Sequence, residues 1–439
     1  MSINYHAPKG RISRRAFLGG AAAIAAFSGK GISAELASNS LNTSQIANLG
    51  LRQDISEEQY WRAVRQSIML SPDVVFLNDG SYGTPPRPVF DALIRYNRIT
   101  TEKPGDQGKI ARICENEVRP KLARFVGAHP DEIALTHNTT EGMSIAAAGI
   151  PLSKGDEILT TNHEHPGGID PWRLRAARNG IAIKEIPIPS PPKNPEVLLN
   201  LFNDAITTRT KVISFCHMTC TAGLIFPAKE ICKLARDKGI ISVVDGAHPL
   251  GMFDFDLHDI DPDVYANSPH KWLGAPLGNG FFYVKKEMIG NIWPMHGSGG
   301  WDRDTARRFE CFGTRDWAVT ACIGDAIDWQ NAIGLDRITK RGRDLMTYFK
   351  QEVQEIKDVK LWTSMDPRMS CSLAGISIRE IPNRKIYRYI FDKHRVLGRL
   401  VDYDLNAVRF SAHYFNTYEE MDIALKALRE IAESNILEA

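Results

Sequence analysis

Three short stretches of the 439-residue chain hold residue types that could do chemistry together. Thr136-His-Asn-Thr139-Thr140-Glu141-Gly142 closes an apolar run and opens a helical one. Hydroxyls and free backbone N–H groups at a helix start make an anion site, most simply for phosphate, although Thr-Thr-Glu is also an ordinary capping sequence. Val243-Val244-Asp245-Gly246-Ala247-His248 puts a carboxylate at the tip of a buried strand. There it needs a cation or hydrogen-bond donors to stay ionised; taken alone it would be a helix-capping aspartate. Asn267-Ser268-Pro269-His270-Lys271-Trp272 follows, and Gly274, Pro276, Gly278 and Gly280 come after it. A lysine between aromatic and Gly-rich segments can be desolvated, which lowers its pKa and makes it a Schiff-base nucleophile. A solitary lysine would be a solvated surface residue, so the case rests on the three stretches occurring in order.

The elements that must position them alternate in period. Strand candidates are Ile133–Thr136, Glu157–Thr161, Ile181–Ile186, Val212–Phe215, Ile241–Val244, Val264–Ala266 and Phe281–Val284. Helical segments lie between most of them, for example Ala228–Lys238 with Ile231, Leu234 and Ala235 on one face. That alternation predicts an α/β fold, a mainly parallel sheet sandwiched by helices. All three motifs then fall beyond the carboxyl ends of strands, where open α/β sheets bind ligands. After about Thr320 the pattern changes to long helices, a β segment at Ala374–Ile378 and a closing helix from Thr417, which predicts a smaller α+β C-terminal domain. The expected boundaries are residues 76–320 for the large domain and 321–439 for the small one. Residues 35–75 form an arm with helical spacing at Tyr60, Trp61, Val64 and Ile68. A pyridoxal phosphate site needs an anion cradle, an acid for the pyridine nitrogen and an amine for the aldehyde. One sheet would bring all three together.

Composition is that of a soluble globular chain, 43% hydrophobic and 24% charged. Five of the 54 basic residues, and no acid, lie in residues 1–34, so the remainder carries 49 basic against 52 acidic groups, or −3. A mildly acidic body gives no electrostatic reason to bind nucleic acid. Seven irregularly spaced cysteines do not make a disulfide framework. Cys216 and Cys220 lack a second pair of soft ligands, and His163 and His165 lack a third ligand, so no metal site is expected. Arg11-Ile-Ser-Arg14-Arg15-Ala-Phe17-Leu18, the weakly apolar run to Gly29 and Ile32-Ser33-Ala34 read as a twin-arginine signal peptide cleaved near Ala34. The apolar run is too short to span ~30 Å of hydrocarbon. The expectation is a periplasmic protein that uses the twin-arginine export machinery and has no stable membrane anchor.

From about Phe76 to about Leu428 the sequence resembles the fold-type I pyridoxal-phosphate enzymes of aminotransferase class V, which include cysteine desulfurases, kynureninases and the isopenicillin N epimerase-like group. Asp245-Gly-Ala-His248 together with His270-Lys271-Trp-Leu-Gly carries the resemblance, while Phe76-Leu-Asn-Asp-Gly-Ser-Tyr-Gly83 and Gly313-Thr-Arg-Asp316 look most like the epimerase-like branch. The resemblance implies pyridoxal 5'-phosphate held by a Schiff-base Lys271, with Asp245 partnering the pyridine nitrogen. Thr139, Thr140, Ser268 and His270 match phosphate ligands, His165 stacks on the cofactor ring and His248 lies near its phenolic oxygen. Thr314 matches a threonine that reaches the phosphate of the neighbouring subunit, which implies a homodimer with shared sites. Arg409, in Ala407-Val-Arg409-Phe-Ser, matches the substrate-carboxylate arginine, with Asn78 and Tyr82 on the same substrate side.

Two departures bear on the reaction. Cys220 stands where many relatives have asparagine. A desulfurase needs a mobile cysteine shortly before the carboxylate arginine, and none lies between Cys371 and Arg409. The resemblance therefore implies a small-molecule or peptide-like amine substrate with a carboxylate, in aminotransferase- or epimerase-like chemistry. Exported relatives include one that tailors a side chain during pyoverdine siderophore maturation. A pyridoxal-phosphate lyase and a non-catalytic binding protein on the same fold are the alternatives. A nicotinamide oxidoreductase is disfavoured because no Gly-x-Gly-x-x-Gly turn follows the first strand.

Overall fold

The computed structural model describes residues 41–433. The twin-arginine segment and its cleavage site lie outside the described residues. Each expected strand of the large sheet is present: β2 (Ile133–Thr136), β3 (Glu157–Thr161), β4 (Ala182–Ile186), β5 (Thr210–Cys216), β6 (Ile241–Asp245), β7 (Val264–Asn267) and β8 (Gly280–Val284). They line up in the order β2-β8-β7-β6-β5-β3-β4. Every pairing is parallel except the two made by β8, which runs against both β7 and β2. β6 and β7 read as near-continuous apolar runs because helices cover both faces. On one face Trp172, Met143 and Ile145 pack against Val212, Val243 and Val264. On the other, Phe202, Phe215 and Phe226 meet edge to face with ring centroids 5.7–6.1 Å apart.

A four-stranded antiparallel sheet follows in the C-terminal part, in the order β12-β13-β10-β9. Its strands are β9 (Val359–Leu361), β10 (Leu373–Ile378), β12 (Arg399–Val401) and β13 (Ala407–Ser411). The helices Leu335–Gln354, Asn383–His394 and the closing Tyr418–Glu433 pack around it, while the long helix Trp317–Ile333 lies against Arg87–Glu102. Among the described helices none is long and apolar enough to cross a membrane.

The N-terminal segment is woven into this second core. Ser56 and Gln59 form a reciprocal capping box that starts the helix Glu57–Arg65, which buries Tyr60, Trp61 and Val64. The helix stops at Arg65, so Ile68 is reached through a turn and bridges to Pro86 instead of continuing the helical face. Glu57 and Glu58 pair with Arg337 and Arg341, and the Arg337 guanidinium lies 3.5 Å over the Tyr60 ring. A short strand β1 (Val75–Phe76) then pairs in parallel with β11 (Val396–Leu397). Leu77 is fully buried among Phe349, Ile376, Val408 and Phe410.

Leu77 thus joins a strand contact to the C-terminal core immediately before the site loop. Leu77→Ala should lower stability by about 2–5 kcal/mol, the range for a buried large-to-small change. The urea midpoint measures this, and a loss under about 0.5 kcal/mol would show that the segment is only draped on the body.

Candidate active site

A cavity of about 280 Å³ opens at the carboxyl ends of the parallel strands and is walled by residues from widely separated chain segments. The volume lies near the lower end for small-molecule pockets, ~300–1,000 Å³. Thr139, Thr140, His165, Asp245, Ser268, His270, Lys271, Tyr82 and Arg409 all line it. Each of these is a residue whose sequence motif points to the cofactor or the substrate.

At one end the helix Thr139–Gly149 points its N-terminus into the cavity. Asn138 caps it by accepting from the Glu141 N–H at 2.9 Å. Ser268 Oγ accepts from the Thr139 N–H at 3.0 Å and lies 2.8 Å from Thr139 Oγ1. The capping and these bonds leave the Thr140 N–H free for an anion, with the helix dipole behind it. The Gly167 backbone comes so close to this cradle that a Cβ there would lie 2.4 Å from Thr140 Oγ1. His270 Nδ1 lies 2.7 Å from the Asn279 carbonyl and so carries the proton. Burial pulls this imidazole down to about 4, and a phosphate beside it would draw it back up.

At the centre, β6 ends on Asp245 and the loop after β7 carries Lys271. Burial is the main influence on both, raising the carboxyl and lowering the Lys271 ammonium to about 8. Asp245 accepts from the Ala247 N–H at 3.0 Å. Its Oδ2 faces Gly168, where a Cβ would sit 2.8 Å away. Beneath it lies a second buried carboxyl that the sequence analysis did not single out. Glu164 accepts from Thr161 Oγ1 at 2.6 Å, and burial raises it to about 8, so it stays protonated at neutral pH. Asp245 is left as the carboxyl free to ionise. Gly83 fixes the opposite wall: its N–H donates to the His270 carbonyl at 2.9 Å, and a Cβ there would fall 1.9 Å from the Lys271 carbonyl oxygen.

Two histidines present neutral rings. His165 caps the helix Pro166–Asn179 by accepting from the Gly167 N–H at Nδ1, and partial desolvation together with the charges of Lys271 and Arg409 lowers it to about 4. His248 accepts from Trp272 Nε1 at 3.1 Å, so Nε2 carries its proton, and that buried N–H has no partner. At the far end Arg409, from β13, is fully buried. It donates to the Cys220 carbonyl, Asn78 Oδ1 and Ser81 Oγ at 3.0, 2.9 and 2.6 Å, and it makes no ion pair among the described residues. Asn78 therefore holds Arg409 and does not line the cavity. Thr314 lies on an exposed turn outside this chain's own cavity. Arg399, Tyr403 and Cys220 also line the cavity, and Cys220 Sγ lies 2.6 Å from Tyr403 Oη. Arg399 and Tyr403 were not foreseen, because their approach depends on how β12 pairs with β13.

The residues fit pyridoxal phosphate by the chemistry of their donors. The helix N-terminus would take the phosphate, Asp245 the pyridine nitrogen, the open His248 N–H a ring oxygen and Lys271 the aldehyde carbon. The fold and the site together are those of a pyridoxal-phosphate-dependent, transferase-like enzyme. The chain belongs to the aminotransferase class V family, whose profile matches residues 85–422. It is 30% identical over 388 residues to the isopenicillin N epimerase of Streptomyces clavuligerus, covering 84% of this chain and 97% of that one. It is 28% identical to a probable cysteine desulfurase of Methanothermobacter thermautotrophicus, covering 84% and 97%. Among solved structures, a cysteine desulfurase from Thermococcus onnurineus NA1 superposes with a TM-score of 0.76 at 23% identity, covering 87% of this chain and all of that one.

The lowered Lys271 value makes a signed prediction. Between about pH 8 and about 10.4 the folded chain holds fewer protons at Lys271 than the unfolded chain, so stability rises with pH through that window. Cofactor-free protein should gain up to about 3 kcal/mol across it relative to Lys271→Met. Urea midpoints measured across the window would show this, and parallel curves for the two proteins would contradict the buried, unpaired ammonium.

Proposed function

We propose that this protein is an exported, homodimeric pyridoxal-phosphate enzyme that acts on the α-amino group of an amino acid or of an amino-acid unit in a peptide-like metabolite. The observation that carries the reading is the pairing of Lys271 with Arg409. A buried guanidinium without a carboxylate shares one cavity with a desolvated amine, that of Lys271, lowered to about 8. An α-amino carboxylate answers both groups, since Arg can hold a carboxylate through two parallel N–H bonds.

When bound, pyridoxal phosphate supplies an electron sink for charge developing at the substrate Cα. Asp245 sustains it by holding a proton on the pyridine nitrogen through an ionised carboxylate. Arg409 orients the substrate carboxylate, and Asn78, Ser81 and the Cys220 carbonyl fix the guanidinium. Lys271, with a pKa near the working pH once desolvated, moves the proton at Cα. His165, neutral, offers a flat face for the ring without adding charge.

The chain between β12 and β13 brings Tyr403, not a cysteine, to the cavity, which supports aminotransferase- or epimerase-like chemistry over desulfuration. Support for a homodimer comes from two features. Thr314 is exposed and does not line its own chain's cavity. Trp293 and Trp301 stack on the surface with centroids 6.4 Å apart, an exposed apolar feature of the kind that marks an interface. Export rests on the twin-arginine pattern at residues 11–18, and a folded-cargo route suits an enzyme loaded with cofactor before export. An exported location in turn favours a secreted peptide or siderophore as substrate. Comparing exported metabolites of a deletion strain with its parent tests this; an unchanged profile would contradict the substrate reading.

Lys271→Ala should lower turnover by several orders of magnitude while cofactor affinity falls but persists, because the phosphate contacts do not depend on the amine. Arg409→Ala should leave the cofactor's visible absorption intact and mainly raise KM for substrates with a free α-carboxylate. Wild-type turnover in Lys271→Ala, or loss of the absorption band in Arg409→Ala, would overturn these roles.

A further inference from the structure

Arg399 opens β12 and stands directly opposite Arg409 in the antiparallel β12–β13 ladder. Residues paired in this way project to the same face, with Cβ atoms ~4.5–5.5 Å apart. Both side chains reach the same cavity, where Lys271 also lies. Like charges placed directly opposite destabilise a sheet unless something anionic lies between or beside them.

Among the described residues no carboxylate pairs with Arg399. Among the described residues neither arginine makes an ion pair and Arg399 makes no side-chain hydrogen bond. Asp245, Asp79, Glu164 and Asp404 make no ion pair with either arginine among the described residues. Asp245 faces Lys271 and the Ala247 N–H. Asp79 is fully buried, and its pKa is pushed well above the carboxylate range, so it stays protonated. Glu164 is likewise held protonated, beneath Asp245. Asp404 turns its Oδ1 to Thr221 Oγ1 at 2.7 Å and to the Leu405 N–H, so its charge is felt at Arg409 but it pairs with neither arginine among the described residues. The phosphate cradle of Thr139, Thr140, Ser268 and His270 is built at the strand tips and helix N-terminus, away from this sheet. A substrate α-carboxylate would neutralise Arg409 and leave Arg399 unanswered at the cavity mouth.

We propose that Arg399 is a specificity-determining residue that reads a second carboxylate, so that the preferred substrate unit is a 2-aminodicarboxylate. The second acid group reaches the outer arginine while the α-carboxylate sits on Arg409. Neighbouring strands lie ~4.8 Å apart, so two to four carbons between the carboxylates span the two guanidinium groups. Tyr403 closes the side of this subsite: its ring meets His165 edge to face at 5.6 Å. The proposal rests on the reading of Lys271 and Arg409 as the amino-acid site.

The test uses the holoenzyme. L-Glutamate and L-2-aminoadipate are titrated against their uncharged counterparts L-glutamine and L-norleucine, with affinity read from the cofactor's visible spectrum and independently by calorimetry. The wild type should bind the dicarboxylates at least ~10-fold more tightly, as a charge-assisted contact implies, and added salt should narrow the gap because the mouth is open to solvent. Arg399→Ala should reduce the preference to about one while changing affinity for the uncharged ligands less than ~3-fold, and Arg399→Lys should restore part of it. Binding of both classes without discrimination in the wild type, or an undiminished preference in Arg399→Ala, would show a solvated surface arginine only and overturn this inference alone. Binding of neither class would overturn the underlying amino-acid site and this inference with it.

Discussion

Burying charge without a hydrogen-bonded ion pair is among the most costly things a folded chain can do, and this site gathers three such groups. Arg409 and Asp245 are buried, the amine of the half-buried Lys271 is desolvated, and none of the three is in an ion pair among the described residues. Taking such groups out of water costs several kcal/mol each unless a partner answers them. The partners that would answer are an aldehyde, a carboxylate and a protonated ring nitrogen, and a coenzyme–substrate pair supplies all three. The cavity is therefore electrostatically incomplete alone and complete when loaded.

The fold holds this arrangement by placing each group on a rigid element. Asp245 ends a central parallel strand, Lys271 follows its neighbour β7, and Arg409 lies in a four-stranded sheet. The helix at Thr139 adds its dipole to the anion cradle. Glycines bring loops into contact where a Cβ could not fit, at Gly83 against the Lys271 backbone and at Gly167 and Gly168 against Thr140 and Asp245. Burial keeps Glu164 protonated and His165 and His270 neutral. The site therefore holds few charges, each free to meet a ligand.

The large sheet was legible in the sequence because parallel strands covered on both faces read as short apolar runs. All seven were placed, with ends within two residues. The three central motifs were legible because each follows such a strand directly. What the sequence did not show depends on approach across long separations. Arg399 and Tyr403 become site residues only through the pairing of β12 with β13. Asn78 sits beside the cavity as the clamp on Arg409, a role that requires β1 and β13 to meet. Glu164 was visible only as a neighbour of His165, since its protonation comes from burial under Asp245. Even so, Gly83 and the Pro166-Gly-Gly168 run carried a signal: glycines beside candidate site residues imply backbone approaching backbone.

The central claim is that this buried lysine is the residue to which pyridoxal phosphate is attached. The most direct measurement is to reduce the purified holoenzyme with borohydride, digest it and locate the cofactor-derived mass by tandem mass spectrometry. The account predicts a single modified peptide, with the modification on Lys271. A modification on another lysine, such as the buried Lys350, or none at all in a protein that retains its visible absorption, would contradict it.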